Sequence, residues 1–135
     1  MVVVEPGSPK GYRFAHSFRE WVINTKSREE ANIVAPCPHM LECPVARDPQ
    51  SWCHFSQMTQ KYSSEVVPRT QNERDIVNEK FSYLVVKKGL TPAQKYSSEF
   101  EANTPDEKSF FWPRLVRPVY KRQQHSIIDM CNTEG

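Results

Sequence analysis

Glycine is scarce in this sequence: four of 135 residues, at Gly7, Gly11, Gly89 and Gly135. Their spacing leaves no room for Gly-x-Gly-x-x-Gly, a P-loop or a Gly-x-Ser-x-Gly nucleophile turn, and His-Glu-x-x-His is absent as well. A glycine turn after a first strand, the usual cradle for a nucleotide-type cofactor, is therefore missing from these residues. Cysteine is also sparse. Four are too few for the disulfide-dense scaffold of a small secreted protein. No apolar run approaches the ~20 residues of a membrane span, so no membrane partner is expected. Met1-Val2-Val3-Val4-Glu5-Pro6 has neither the basic start nor the long apolar stretch of a signal peptide. Charge of one sign is lacking too: 18 Lys and Arg oppose 16 Asp and Glu, for a net charge of +2. That balance neither demands a nucleic acid nor excludes one. The length suits one domain, and a hydrophobic share of 38% implies much loop.

What is present begins with Val2, Val3 and Val4, a β-branched run that suits a strand covered on both faces. A Pro- and Gly-rich turn ends it. Phe14, Phe18, Trp21 and Val22 then follow at i, i+4, i+7 and i+8, predicting a helix with that apolar stripe inward and His16, Arg19 and Glu20 off it. Ile33-Val34-Ala35 is a second short apolar run. Together these predict a βαβ unit with parallel strands. A further strand is expected over 80–89, closed by Gly89, and 90–108 reads as an insertion. Two strands and a helix cannot cover a parallel sheet, so the chain is expected to be part of a larger domain. Gln60-Lys61-Tyr62-Ser63-Ser64-Glu65 recurs at residues 94–99 without matching flanks, and no function is attached to it.

The sharpest signal is the placement of the cysteines. Cys37, Cys43 and Cys53 are spaced C-x5-C-x9-C, and Cys131 stands near the end. Pro38 and Pro44 directly follow two of them, so the loop is stiff and less chain must be ordered when a metal binds. Four thiolates suit a tetrahedral zinc or an iron–sulfur cluster. Zinc knuckles usually leave two to four residues between ligands, so intervals of five and nine favour the larger cluster. His39, His54 and His125 are candidates for a mixed Cys/His zinc site. The alternatives are thiols buried as small hydrophobes, or disulfides.

A second signal lies between Lys108 and Ile128, where no acidic residue occurs. Arg114, Arg117, Lys121 and Arg122 alternate there with Phe110, Phe111, Trp112 and Tyr120. Cations interleaved with aromatics suit phosphate contact and base stacking on RNA. A solvated face beside core aromatics is the alternative.

Taken together, several motifs resemble the mitochondrial small-ribosomal-subunit methyltransferase-like family. They are Val2-Val3-Val4-Glu5-Pro6-Gly7-Ser8-Pro9, Ala35-Pro36-Cys37-Pro38-His39, Cys43-Pro44 and Trp52-Cys53-His54-Phe55-Ser56-Gln57. Glu79-Lys80-Phe81-Ser82-Tyr83, Trp112-Pro113-Arg114-Leu115 and His125 followed by Cys131 continue the match. The resemblance implies an α/β fold, the C-terminal half of a class I methyltransferase-like (Rossmann-like) domain with a proline-rich metal-cluster loop. Residues 1–35 would be core strand–helix–strand, 36–60 the cluster loop, and 79–135 edge strands plus an insertion. Strands ending at Glu5 and Ala35 would be the fourth and fifth, with 81–86 and 126–130 as an antiparallel pair at the edge. It further implies a [4Fe-4S] cluster on Cys37, Cys43, Cys53 and Cys131, and work on the small ribosomal subunit and its RNA in the mitochondrial matrix. S-adenosylmethionine is expected only in a longer parent protein, and the sequence leaves catalysis open.

Overall fold

In a computed structural model of the chain, residues 1–25, 27, 30–60, 76–91, 95–96, 101–117 and 119–133 are described. Most of each copy of the Gln-Lys-Tyr-Ser-Ser-Glu repeat lies outside them.

Four strands and a helix form the body. Strand β1 (Val2–Pro6) leads through a tight turn into helix α1 (Pro9–Thr25), and β2 (Ala31–Ala35) follows. A 3-10 turn (Pro44–Arg47) sits in the cysteine loop, before β3 (Phe55–Gln60) and the long β4 (Ile76–Lys88). The start of α1 is specified locally. Ser8 Oγ accepts a hydrogen bond from the Gly11 N–H at 3.2 Å, the role of an N-cap, and Pro9 takes the first helical position where no N–H is needed. Gly11 has a further reason to be glycine. A Cβ there would lie 2.1 Å from the Pro6 carbonyl oxygen, because the helix turns back directly onto the end of β1. Gly89 ends β4 with φ +78°, a left-handed conformation that glycine adopts without strain.

β4 is the spine of the sheet. Its second half pairs antiparallel with β1 on one side (Val3 opposite Leu84) and with β2 on the other (Ile33 opposite Val86). Its first half pairs with β3, Phe55 facing Phe81. Since β1 and β2 both oppose β4, they run parallel to each other. The strand–helix–strand reading therefore holds in direction but not in adjacency. The strand expected at the edge, 81–86, is inserted between the two. Its run of aromatic and β-branched residues fits the central position, paired on both sides.

Side-chain alternation along β4 puts Ser82, Leu84 and Val86 on the face covered by α1. Val22, Ile33, Leu84 and Val86 make the core, with Val3, Phe18, Ile23, Cys37 and Met40 packed around it. β1 is thus not covered on both faces: Val2 and Val4 are 63% and 62% exposed while Val3 points inward. The inward face of α1 also differs from the expected stripe. Tyr12, Ala15, Arg19 and Val22 are buried, at i, i+3, i+7 and i+10, whereas Phe14 and Trp21 face outward. The helix is rotated relative to the most apolar stripe, and Gly11 and Ala15 on its buried face permit close approach to the sheet.

The last third of the chain is built from small pieces. Helix α2 (Pro105–Lys108) lies within the stretch read as an insertion. It opens with a capping box in which Thr104 Oγ1 accepts from the Glu107 N–H and the Glu107 carboxylate accepts from the Thr104 N–H. A 3-10 turn (Ser109–Phe111) follows. Two ribbons then form: β5 (Arg114–Leu115) with β8 (Met130–Cys131), and β6 (Tyr120–Lys121) with β7 (Ser126–Ile127). Residues 126–130 are accordingly not an edge strand of the main sheet. They turn between two ribbons.

Gly11→Ala should lower stability by about 1–3 kcal/mol, the usual cost of overpacking a closed contact. Leu84→Ala, at a site only 2% exposed, should cost about 2–5 kcal/mol. Urea denaturation curves of the two variants measure both; unchanged midpoints would contradict this packing.

Candidate metal centre

The four cysteines come from three separate segments. Cys37 and Cys43 lie on the loop after β2, Cys53 immediately precedes β3, and Cys131 ends β8. All four line one cavity, closed on another side by Tyr12, His16 and Arg19 of α1. All four are free thiols. Hydrogen bonds explain how segments so far apart meet. Ser82 Oγ on β4 donates to the Cys53 carbonyl at 2.8 Å, and Trp52 Nε1 donates to the Gly7 carbonyl at 3.1 Å. The Val116 carbonyl accepts from the His54 N–H at 3.3 Å, while the Val116 N–H donates to Asp129 O at 3.1 Å. With Arg114 opposite Cys131 in the β5–β8 ribbon, Val116 links the Cys53 segment to the Cys131 segment.

Arg19 secures the remaining loop. It is 3% exposed, and its guanidinium donates to the carbonyls of His39 and Leu41 and pairs with Glu20 at 2.8 Å. A buried cation is costly unless its donors are satisfied. Here the loop carbonyls and a carboxylate do most of that. Arg19 Nε is buried without a well-aligned acceptor, while His16 Nε2 lies 3.5 Å from the Glu20 carboxylate.

The thiols influence one another. Burial raises Cys53, and the neighbouring Cys37, Cys43 and Cys131 add to it, up to about 12. Cys131 is pushed to about 11 by burial and then by Cys37 and Cys43. Cys37 is raised by burial against the pull of the Arg19 guanidinium. Cys43 goes the other way. Burial alone would raise it, but hydrogen bonds from His16, Tyr12 and the Ala46 and Val45 N–H groups bring it down to about 7. Ionised neighbours thus oppose the ionisation of Cys37, Cys53 and Cys131, an opposition that a bound cation would relieve. Among the described residues, no three Cys, His, Asp or Glu side chains group so as to hold a single metal ion.

Residues 1–135 match the family described as mitochondrial small ribosomal subunit Rsm22. The chain belongs to the Rsm22 family. It is 30% identical over 156 aligned residues to the Rsm22-cox11 tandem proteins 1 and 2, mitochondrial, of Schizosaccharomyces pombe; all of the chain and 20% of each relative are covered. It is 28% identical over 140 residues to the Homo sapiens protein named ribosome assembly protein METTL17, mitochondrial, again with the whole chain and 26% of that relative covered. The chain thus spans a fifth to about a quarter of the length of these relatives. The family and all three relatives are mitochondrial by name, and this Rsm22-family chain is a mitochondrial protein.

The histidines of this Rsm22-family chain separate clearly. His39 is buried, with Nε2 3.0 Å from Cys131 Sγ. His54 stacks on Trp52 and contacts the Trp52 carbonyl through Nδ1. His125 is exposed at the turn between β6 and β7. Tyr12, His16 and Arg19 were missed as site residues, since only the spacing of Tyr12, Ala15, Arg19 and Val22 marks their face. The basic stretch also divides. Arg117 pairs with Asp129 at 3.0 Å, and Arg114 donates to the Ser109 carbonyl. Lys121 and Arg122 are exposed, with the Arg122 guanidinium 4.5 Å over the Tyr120 ring.

In metal-free protein, the alkylation rate of Cys43 should rise with a midpoint near pH 7, as its thiolate forms. Cys53 and Cys131 should stay slow until well above pH 9, since both are held protonated. Site-resolved mass spectrometry after iodoacetamide pulses reads this; one shared midpoint for all four would contradict the arrangement.

Proposed function

We propose that this chain serves the assembly of the mitochondrial small ribosomal subunit in the matrix, and so mitochondrial translation. It does so as an RNA-associated protein that carries a [4Fe-4S] cluster on Cys37, Cys43, Cys53 and Cys131. One observation carries the cluster: four free thiols from three segments line a single cavity, in a chain that matches the Rsm22 family along its whole length. The printed name of the human relative, a ribosome assembly protein, supports the process. A methyltransferase-like, Rossmann-like parent domain is supported by two parallel strands joined through a helix, although an antiparallel strand separates them. With four glycines and no glycine-rich turn, no methyl-transfer step and no S-adenosylmethionine contact is assigned to these residues.

The residues present fit the group. The donor set is wholly sulfur, burial holds Cys37, Cys53 and Cys131 protonated where a bound cation would favour their thiolates, and Arg19, whose buried Nε lacks an acceptor, lines the same cavity. When bound, the cluster would supply a covalent tie between the cysteine loop and the C-terminal ribbon, together with a one-electron centre. The chain's own residues shape the rest. Arg19 holds the loop against α1, and Val116 holds Cys53 near Cys131.

Anaerobically purified protein is expected to be brown, with about four iron and four sulfide per chain. Cys131→Ser should bleach it. Colourless protein with stoichiometric zinc would replace the cluster by a tetrahedral zinc site.

For RNA, Lys121 and Arg122 are the exposed cations of the β6–β7 ribbon, and the Tyr120 ring lies beside them. The double substitution Lys121→Gln with Arg122→Gln should weaken binding to single-stranded RNA. It should also flatten the slope of log K against log[salt] by about 1.4, at ~0.7 per lost phosphate contact. Arg117→Gln should change the slope less, since that side chain is engaged by Asp129. An unchanged slope in the double variant would contradict an RNA role for this ribbon.

A further inference from the structure

His39 is more than nine-tenths buried, and both of its ring nitrogens are engaged. The Leu41 backbone N–H donates to Nδ1 at 3.1 Å. An amide N–H can only donate, so Nδ1 must present its lone pair. In a neutral ring the proton then resides on Nε2. That atom lies 3.0 Å from Cys131 Sγ, which makes the contact an N–H donated to sulfur. The ring is held in place from behind. Arg19 on α1 donates to the carbonyls of His39 and Leu41, the same two residues that fix the ring's position and tautomer. The order runs from helix cation to loop carbonyls, from loop N–H to Nδ1, and from Nε2–H to sulfur.

A neutral thiol is a weak acceptor and gives little reason to aim a buried N–H at it. A metal-bound thiolate is a strong one, and hydrogen bonds to cluster sulfurs are among the levers that set reduction potential. We propose that His39 is a positioning residue whose Nε2–H donates to the Cys131 sulfur of the bound centre, orienting that ligand and raising the centre's reduction potential. This rests on the cluster reading above. Uptake of one electron, supplied in the measurement by the titrant, adds one negative charge to the centre. A fixed donor on one of its sulfurs stabilises that added charge, so the reduced form gains. His39 is not itself a ligand in this arrangement. Its Nδ1 is occupied, and its Nε2 carries a proton.

The test compares anaerobically purified wild type, His39→Leu and His39→Gln. Potentials are read by spectroelectrochemical titration, and iron and sulfide are quantified in the same samples. His39→Leu should shift the equilibrium toward the oxidised form by about tenfold, the worth of one hydrogen bond to a charged group. That corresponds to about 59 mV for a one-electron couple. His39→Gln retains an N–H donor on a side chain of similar reach and should recover much of the shift. A loaded His39→Leu protein with wild-type potential would overturn the proposal and leave the cluster reading intact. Wild-type protein without iron and sulfide would overturn both. Should the leucine variant fail to load, long-range proton–nitrogen correlation spectra of the metal-free wild type decide. A proton on Nε2 of His39 supports the proposal, and one on Nδ1 overturns it. Strong nitrogen hyperfine coupling in the reduced wild-type centre would show a histidine ligand and overturn it as well.

Discussion

The contact on which the site depends is that between Arg19 and the loop after β2. A guanidinium 3% exposed, in a helix face otherwise made of Tyr12, Ala15 and Val22, is an expensive thing to bury. It is stable because the loop brings carbonyl oxygens to it and Glu20 adds a carboxylate. The cost is recovered as shape. Two bonds from that cation to the His39 and Leu41 carbonyls tie the loop carrying Cys37 and Cys43 to α1, beside the cavity that the four sulfurs line. Arg19 also favours the ionised form of Cys37, so one side chain does both the structural and the electrostatic work.

β4 supplies the second half of the arrangement. Its pairing with β1, β2 and β3 makes one platform from strands scattered through the chain. Ser82, on the covered face of that platform, anchors the Cys53 backbone. Val116 then hands the geometry on to the ribbon that ends in Cys131. A stability defect in the core around Leu84 would therefore reach the thiols as well. Leu84 belongs both to the core and to the lining of the cysteine cavity.

Much of this was legible in the residues. The valine run, the strand closed by Gly89 and the association of Cys37, Cys43 and Cys53 in one stiff loop all follow from local chemistry. So does the match to the family, carried by the Cys-Pro-His and Trp-Cys-His-Phe-Ser elements. Tertiary choices were not legible. Whether β4 lay at the edge or in the centre depends on which strands compete for it, and a local pattern does not encode that. β3 was hidden because Phe55–Gln60 is mostly polar and becomes a strand only by pairing with β4. The rotation of α1 was misjudged because hydrophobicity favours Phe14 and Trp21 inside, whereas close packing on the sheet favours Gly11 and Ala15. Arg19, expected off the inward apolar stripe, is buried. His39 could be placed only once Cys131 had been brought to it.

The claim that matters most is that these sulfurs share one polynuclear iron centre. Iron K-edge X-ray absorption of the anaerobic protein addresses it directly. The account predicts a first shell of sulfur alone around iron and a short iron–iron distance beyond it. Iron ringed by oxygen or nitrogen, with no neighbouring iron, would contradict it.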